Sequence, residues 1–358
     1  MTIMDVAFVN PKINFDNRLG MGTQRYIFEL WKNMSLQSKK AGIKLKKISP
    51  GSAYPDLYSK ISFTLLLPFE KLWEYDVVHA PTPIMYMPPR GNAATLTTMT
   101  EFVKVSADSP YALAMKAAAS RTTKSISNYM SDMIYGAVKR QALNSDYLVT
   151  ISTLVKKEAV MEGFDKNKVF VVNIGIDRRF NSAKKTRKTQ KFTLGYLGGL
   201  NVRKNVSFAI NAFRKIKDKS TQFKIYGKGP ETLRLKEQAS GDTRIRFMGF
   251  APEEQIVDIY DSFDAMVYPI LYTGFEMEII EAQARGIPVI TYKEATIPAE
   301  VKKYCIEASS ESEAAAIVED IKENGYDPVK RRKAMEYARS FTWERCARET
   351  LAIYKKIA

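Results

Sequence analysis

The sequence predicts an α/β protein of two domains, and three observations carry that prediction. The chain has 358 residues, 45% of them hydrophobic, which is enough for two ordinary cores. Short apolar runs alternate with amphipathic helical segments from one end to the other. Near the middle a charged, turn-rich segment from Ser182 to Gln190 separates two such patterns and reads as an interdomain linker.

In the first half, Asp5 to Asn10 is a predicted strand. A loop containing Gly20 and Gly22 then leads into a helix from about Thr23 to Leu36, with Tyr26, Ile27, Leu30 and Met34 on one face. A dinucleotide fingerprint would need a third glycine where Arg25 stands, and a turn directly after the strand, so a nicotinamide-dependent dehydrogenase is disfavoured. Asp76 to Pro81 reads as a strand end that carries His79, the single histidine of the chain. At the carboxyl end of a strand a histidine is either a catalytic group or a packed wall residue. Ala94 to Met99 is the next strand, and Pro110 to Asn144 a long helical region whose methionines and alanines suit a core. Tyr147 to Ser152 is a strand running into a capped helix, and Val169 to Asp177 closes the half as its last strand.

The second half restarts the period. Phe192 to Leu197 is a strand, Gly198 to Asn205 a loop, and Val206 to Ile216 a helix. Phe223 to Pro230 is a strand followed by Gly227-x-Gly229, Arg244 to Phe250 another strand, and Pro252 to Ser262 a helix. The apolar run Ala265 to Pro269 is a buried strand. Gly274 then turns the chain into a helix carrying Glu276, Glu278 and Glu281, which Gly286 stops before the strand begun by Pro288-Val-Ile. Two helices end the chain, the last from Thr342 to Tyr354. A strand–loop–helix of this kind presents unpaired N–H groups and a positive dipole end at the edge of a parallel sheet, so phosphate is the first ligand it suggests.

The formal charge of +16 points to an anionic partner, and its clusters lie mostly in the first half: Lys39-Lys40, Lys44, Lys46-Lys47, Arg121, Lys124, Lys139-Arg140 and Lys156-Lys157. No helix-turn-helix, zinc module or RNP-like aromatic strand pair is present, so nucleic acid is not an expected partner. A solvated basic surface and an anionic membrane surface account for the charge equally, since each lysine or arginine near anionic lipid contributes about 1 kcal/mol. Cys305 and Cys346 lack metal-ligand spacing, so two free thiols and no metal are expected. Apolar runs such as Phe63 to Phe69 fall short of the roughly 20 residues that span a bilayer. Met4 to Val9 reads as a core strand rather than a cleavable signal. The expected location is therefore the cytoplasm, with the cytoplasmic membrane face as the surface the charge would meet.

The stretch Tyr272 to Thr291 resembles the signature of retaining GT-B glycosyltransferases, glycosyltransferase family four (group 1) in particular. Gly274-Phe275, Glu281, Ala282, Ala284, Gly286, Pro288 and Val289 match its pattern. Thr273 replaces the family's first glutamate and Glu276 the second glycine of its turn. Gly198 to Asn205 is similar to the family's diphosphate-gripping loop, with Lys204 matching its lysine and Gly199 standing in place of its arginine. After Ala94 to Met99 the family carries His-Asp, and here Thr100-Glu101 follows; Gly175 and Asp177 match the segment that closes the first half.

The resemblance covers nearly the whole chain and implies a GT-B fold, two Rossmann-like domains facing across a cleft. Residues 1–182 would form the acceptor-side domain, 183–341 the nucleotide-sugar-binding domain, and 342–358 a helix crossing back to the first, with Trp343 at the crossing. The implied donor-binding residues are Gly22, Gly198, Gly199, Arg203, Lys204, Gly227, Gly249, Phe250, Thr273, Gly274, Phe275, Glu276 and Glu281, with Glu281 on the ribose. The implied acceptor-side residues are Arg25, Thr100 and Glu101, and the candidates for the chemistry itself are Lys204, Glu276 and His79. The implied reaction is metal-independent, cofactor-free transfer of a sugar, with retention, from a UDP- or GDP-sugar to a glycan or lipid-linked acceptor. Cations beside the departing diphosphate answer the chemical need of that step. The departures at Thr100 and Thr273, the two sugar-contacting points, suggest an unusual donor sugar or altered catalysis; alternatively, with Gly199, they would fit a non-catalytic nucleotide- or glycan-binding subunit, and the fold also fits a nucleotide-sugar epimerase.

Overall fold

The computed structural model describes residues 3–10, 22–49, 71–84, 91–102, 109–119, 136–137, 139–182 and 191–358. The Gly20 part of the first glycine loop, the run Phe63 to Phe69, Arg121 and Lys124, most of the helical region after Ala119, and linker residues 183–190 lie outside them. The described residues form two compact units. The first takes those within Met1–Val103, Lys124–Gly175 and Phe341–Ala358; the second takes those within Lys104–Thr123 and Ile176–Ser340.

In the first unit the strands are β1 (Met4–Val9), β2 (Ile43–Ile48), β3 (Val77–Ala80), β4 (Ala94–Met99), β5 (Tyr147–Thr150) and β6 (Val169–Val171). All neighbours pair in parallel, in the order β2-β1-β3-β4-β5-β6. Helix α1 (Gly22–Ser38) buries Tyr26, Ile27, Leu30 and Met34, the face its 3.6-residue period marks. Helix α2 (Pro110–Ala119) clusters with the second unit, where it packs against the turn Val202–Lys204 and sets Tyr111 against Tyr272 with ring centroids 5.5 Å apart. Helix α3 (Thr153–Met161) begins as the sequence predicts, with the Ser152 hydroxyl accepting from the Val155 N–H at 3.2 Å.

The strand expected over Val169 to Asp177 is shorter than predicted, ending at Val171. Beyond it the Asn173 amide donates to the Ile151 carbonyl at 3.0 Å, a side-chain bond rather than a ladder bond. Gly175 lies so close to Trp343 that an added Cβ would come within 2.2 Å of the Trp343 nitrogen.

The second unit holds β7 (Thr193–Leu197), α4 (Val206–Lys215), β8 (Gln222–Tyr226), α5 (Thr232–Gln238), β9 (Ile245–Gly249), α6 (Ile256–Asp261) and β10 (Ala265–Val267). It continues with α7 (Met277–Ala284), β11 (Val289–Tyr292), α8 (Ala299–Lys302), β12 (Ile306–Ala308), α9 (Glu311–Asn324) and α10 (Pro328–Arg339). Its sheet is parallel throughout, in the order β12-β11-β10-β7-β8-β9. The order reverses between β7 and β10. In an open parallel sheet such a reversal opens a crevice at the carboxyl ends of the two strands.

The units divide at Gly175/Ile176, where the sequence suggested residue 182. Arg285, just past α7, explains the difference. Its guanidinium pairs with Asp261 at 2.7 Å and donates to the carbonyls of Phe180 and Ser182 at 3.1 and 2.6 Å, tying 176–182 to the second unit. The last helix, α11 (Trp343–Ile357), belongs to the first unit and packs along α1. Trp343, Cys346, Ala347, Thr350, Leu351, Tyr354 and Ile357 make its buried stripe, and burying each large apolar side chain contributes about 1.5–3 kcal/mol.

Candidate functional site

The crevice of the second unit is built from three loops held together by backbone. After β7 the Gly198 N–H donates to the Tyr226 carbonyl at 3.1 Å, and after β8 the Gly227 N–H donates to the Gly249 carbonyl at 2.7 Å. Gly227 has a φ of +136°, and a Cβ on it would lie 1.8 Å from the Gly198 oxygen. Of the three candidate donor residues here, Gly227 is the one whose missing side chain lets the loops touch; a Cβ on Gly198 would meet the Tyr268 and Tyr196 hydroxyls at 2.9 and 3.0 Å, and one on Gly249 would meet nothing within 4 Å, although its φ is +78°. Gly199 differs: a Cβ there would meet only the Asn201 amide at 3.4 Å, so the missing arginine is not excluded by crowding at that point.

Asn201 caps the short turn Val202–Lys204, accepting from the Lys204 N–H at 3.2 Å, and Asn205 leaves it in the left-handed region at φ 51°. The turn is pinned across the crevice by the Leu271 N–H, which donates to the Arg203 carbonyl at 2.9 Å. This drives the Lys204 side chain inward to 7% exposure. Its ammonium donates to Glu276 Oε1 at 2.5 Å and to the Tyr268 hydroxyl at 2.6 Å, and the Tyr268 O–H donates to the same Glu276 oxygen at 2.9 Å. Tyr268 stacks on Tyr196 with centroids 5.3 Å apart and planes 12° apart, and the Tyr196 hydroxyl donates to the Gly199 carbonyl at 3.0 Å.

Glu276 holds the N-cap position of α7 without capping it; its side chain goes to Lys204 instead. Burial opposes its ionisation, but the Lys204 charge, a hydrogen bond from Glu278 and Arg203 together bring it down to about 2. Glu278 moves the other way. Burial and the neighbouring Glu276 charge push it well above the usual carboxylate range, so it is the protonated member of the pair. Glu281, one turn farther, is buried and accepts from the Tyr260 hydroxyl at 3.1 Å. Thr273 spends its hydroxyl on the Phe275 carbonyl at 3.0 Å, within the turn. Phe250 projects from the end of β9 with 62% exposure.

The second unit therefore gathers Lys204, Arg203, Glu276 and Glu281 with the glycine loops at one sheet edge. Glu278, named by sequence only as one of the helix's three glutamates, joins them, as do Tyr268 and Tyr196, which sequence did not single out; two tyrosines near the ends of apolar strand runs were the available signal. Gly274 and Phe275 lie buried in the turn before α7, and the remaining candidates belong to the first unit. Gly22 opens α1 exposed, Arg25 is half-buried in its first turn, and Thr100 and Glu101 are half-buried just past β4.

His79 is fully buried. Its Nδ1 meets the Tyr354 hydroxyl at 2.6 Å and its Nε2 the Thr98 hydroxyl at 2.9 Å, while burial pushes its pKa down to about 3. Both ring nitrogens are occupied by core partners, so of its two readings this geometry favours the packed residue over the catalytic one. Among the described residues no helix is long and apolar enough to cross a membrane.

Comparison with known proteins bears on this architecture. Residues 191–324 match the family model described as Glycosyl transferases group 1. The O-antigen chain mannosyltransferase B of Escherichia coli is 27% identical over 124 residues, which cover 34% of this chain. That match spans 32% of the mannosyltransferase, about a third of its length. A glycosyltransferase from Rickettsia africae ESF-5 superposes with a TM-score of 0.68 at 16% identity, covering 99% of this chain and 98% of that one. Anabaena HepE, solved in complex with UDP-glucose, superposes at 0.66 and 13% identity over 99% and 100% of the two chains. The fold is GT-B, and within it residues 191–324 are similar to the group 1 glycosyl transferases.

Proposed function

We propose that the chain is a retaining, metal-independent glycosyltransferase that moves a sugar from a UDP- or GDP-sugar to an acceptor hydroxyl on a lipid-linked glycan or polysaccharide. The observation that carries this is a buried lysine and the uncapped tip of α7, set where the parallel sheet of a group 1 segment reverses its strand order. Lys204, with Arg203 beside it and the N–H groups of Gly274 to Glu276, stabilises the departing diphosphate. Glu281 takes the ribose hydroxyls, and Gly199, Gly249, Phe250 and Thr273 line the nucleotide and sugar. Arg25, Thr100 and Glu101 stand on the acceptor side. A leaving phosphate that itself serves as base for front-face attack removes the need for a carboxylate pair. The basic residues of the first unit would meet an anionic membrane face where the acceptor is lipid-linked.

A thermal-shift screen across UDP-, GDP- and ADP-sugars tests the donor, because a ligand at 100 times its dissociation constant stabilises by about 2.7 kcal/mol. Slow release of free nucleoside diphosphate from the stabilising donor, without acceptor, supports a transferase. Stabilisation without release supports instead the non-catalytic subunit that Thr100, Gly199 and Thr273 would suit. Interconversion of sugars on the intact donor would mark an epimerase.

A further inference from the structure

The buried ion pair inside the proposed donor site is a feature that the glycosyltransferase reading leaves unused. Lys204 is expected to grip a diphosphate, yet its ammonium is held by Glu276 at 2.5 Å and by Tyr268 at 2.6 Å, with both members of the ion pair more than nine-tenths buried. A lysine neutralised in this way offers little attraction to an anion until its partner leaves. We propose that Glu276 is a specificity-determining counter-ion: it occupies the place of the donor's anionic group on Lys204, and a nucleoside diphosphate binds by displacing it with uptake of a proton. This inference rests on the donor-site reading given above.

The groups around Glu276 fix the direction of the proton. Lys204 and Arg203 face it from the turn after β7, Tyr268 from the end of β10, and Glu278 from the first turn of α7. Tyr196, behind Tyr268, feels its charge, and Glu281 faces Glu278 from the next turn. Before binding, the cluster holds one ammonium, one carboxylate on Glu276 and one proton on Glu278. When a diphosphate takes the ammonium, Glu276 loses the larger of the two cationic influences that kept it ionised, Arg203 being the smaller, while the buried tyrosines and the acid of Glu278 remain. A buried carboxylate without its cation binds a proton, and the proton comes from solvent. Binding is then favoured by lower pH, and the site discriminates against any anion too weakly charged to compete with a carboxylate already in place.

Isothermal titration of UDP, and separately GDP, into the full chain in buffers of different ionisation enthalpy tests this. The wild-type protein is expected to take up close to one proton per nucleotide, with affinity falling from about pH 6 to about pH 8. Glu276→Gln is expected to bind about tenfold tighter near pH 8 and to take up no proton, a gain of about 1.4 kcal/mol. Proton-silent binding by the wild type, or weaker binding by Glu276→Gln, would overturn the counter-ion role while leaving the donor site standing. If neither nucleotide binds either protein, the donor-site reading falls and this inference with it. Should Glu276→Gln fail to fold, proton uptake by the wild type alone decides.

Discussion

The two units place a titratable cluster at comparable points of similar parallel sheets and use them in opposite ways. In the first, His79 on β3 is sealed between Thr98 on β4 and Tyr354 on α11, neutral and with every ring nitrogen occupied. In the second, Lys204 and Glu276 are buried just as deeply but are held as ions, on loops that end at the reversal of strand order. Burial alone does not identify a functional group. A neutral residue whose partners all lie in the core belongs to packing, whereas an ion pair sustained in a low dielectric, next to an uncapped helix end, is where the proposed nucleotide would take the place of one member.

The pH dependence splits the second cluster instead of setting it against the first. His79 has its folded pKa depressed from 6.5 to about 3, so the unfolded chain takes up a proton that the folded one refuses; its contribution to stability is complete above about 6.5 and is lost toward 3. Glu278 has its folded pKa raised, so the folded chain keeps a proton that the unfolded chain releases, and stability declines as pH rises above about 4.5. Glu276, depressed to about 2, sides with His79: its contribution is present above about 4.5 and fades toward 2.

The largest expected effect falls on the packed cluster. His79→Ala removes a buried ring and leaves the Thr98 and Tyr354 hydroxyls only their longer bonds to Tyr26 and Met34, and is expected to lower stability by about 3 kcal/mol in urea unfolding, with nucleotide affinity unchanged. A loss of nucleotide binding without loss of stability would invert the contrast and return His79 to the chemistry. Next in size, Lys204→Ala is expected to weaken UDP or GDP binding about a hundredfold, ~2.7 kcal/mol, as read by titration calorimetry. Unaltered affinity would show that the buried ion pair is mere packing too. Glu281→Ala is expected to act mainly on affinity, about tenfold, with little change in turnover at saturating donor. The smallest effect sharpens the pH argument. Glu278→Gln should raise the melting temperature by roughly 2 °C near pH 8, and the gain should vanish near pH 4.5, where the unfolded carboxyl is also protonated. A gain that persists at low pH would trace to something other than the retained proton.

Much of this architecture can be read from sequence because it depends on local pattern. Ala94 to Met99 is a strand over the predicted residues, and α1 buries the predicted face. Other elements are hidden where tertiary context overrides pattern. Strand β2, Ile43-Lys-Leu-Lys-Lys-Ile48, looks like a basic cluster because only its two ends are buried and its lysines face outward, as suits a strand with one neighbour among the described residues. Val169 to Asp177 has the composition of one long strand but is cut short by the Asn173 side chain and the approach of Trp343 to Gly175.

The candidate site divides along the same line. Lys204 and Glu281 stand out because each sits in a recognisable local motif. Their partners do not, since Lys204 and Glu276 are 72 residues apart in the chain and meet only because β7 and β10 are neighbours in the sheet. A one-dimensional pattern identifies Glu276 as a departure from a glycine; only the sheet order reveals what the carboxylate found to hold.

The central claim is that an anionic carrier group takes the Lys204 ammonium while Glu281 holds the sugar of the nucleoside. A crystal structure with an intact UDP- or GDP-sugar measures this directly. The expected complex has a phosphate oxygen within hydrogen-bond distance of Lys204 Nζ, Glu276 turned away from it, and the ribose hydroxyls on Glu281. A nucleotide bound elsewhere, or bound here with the Lys204–Glu276 pair still closed, would contradict it.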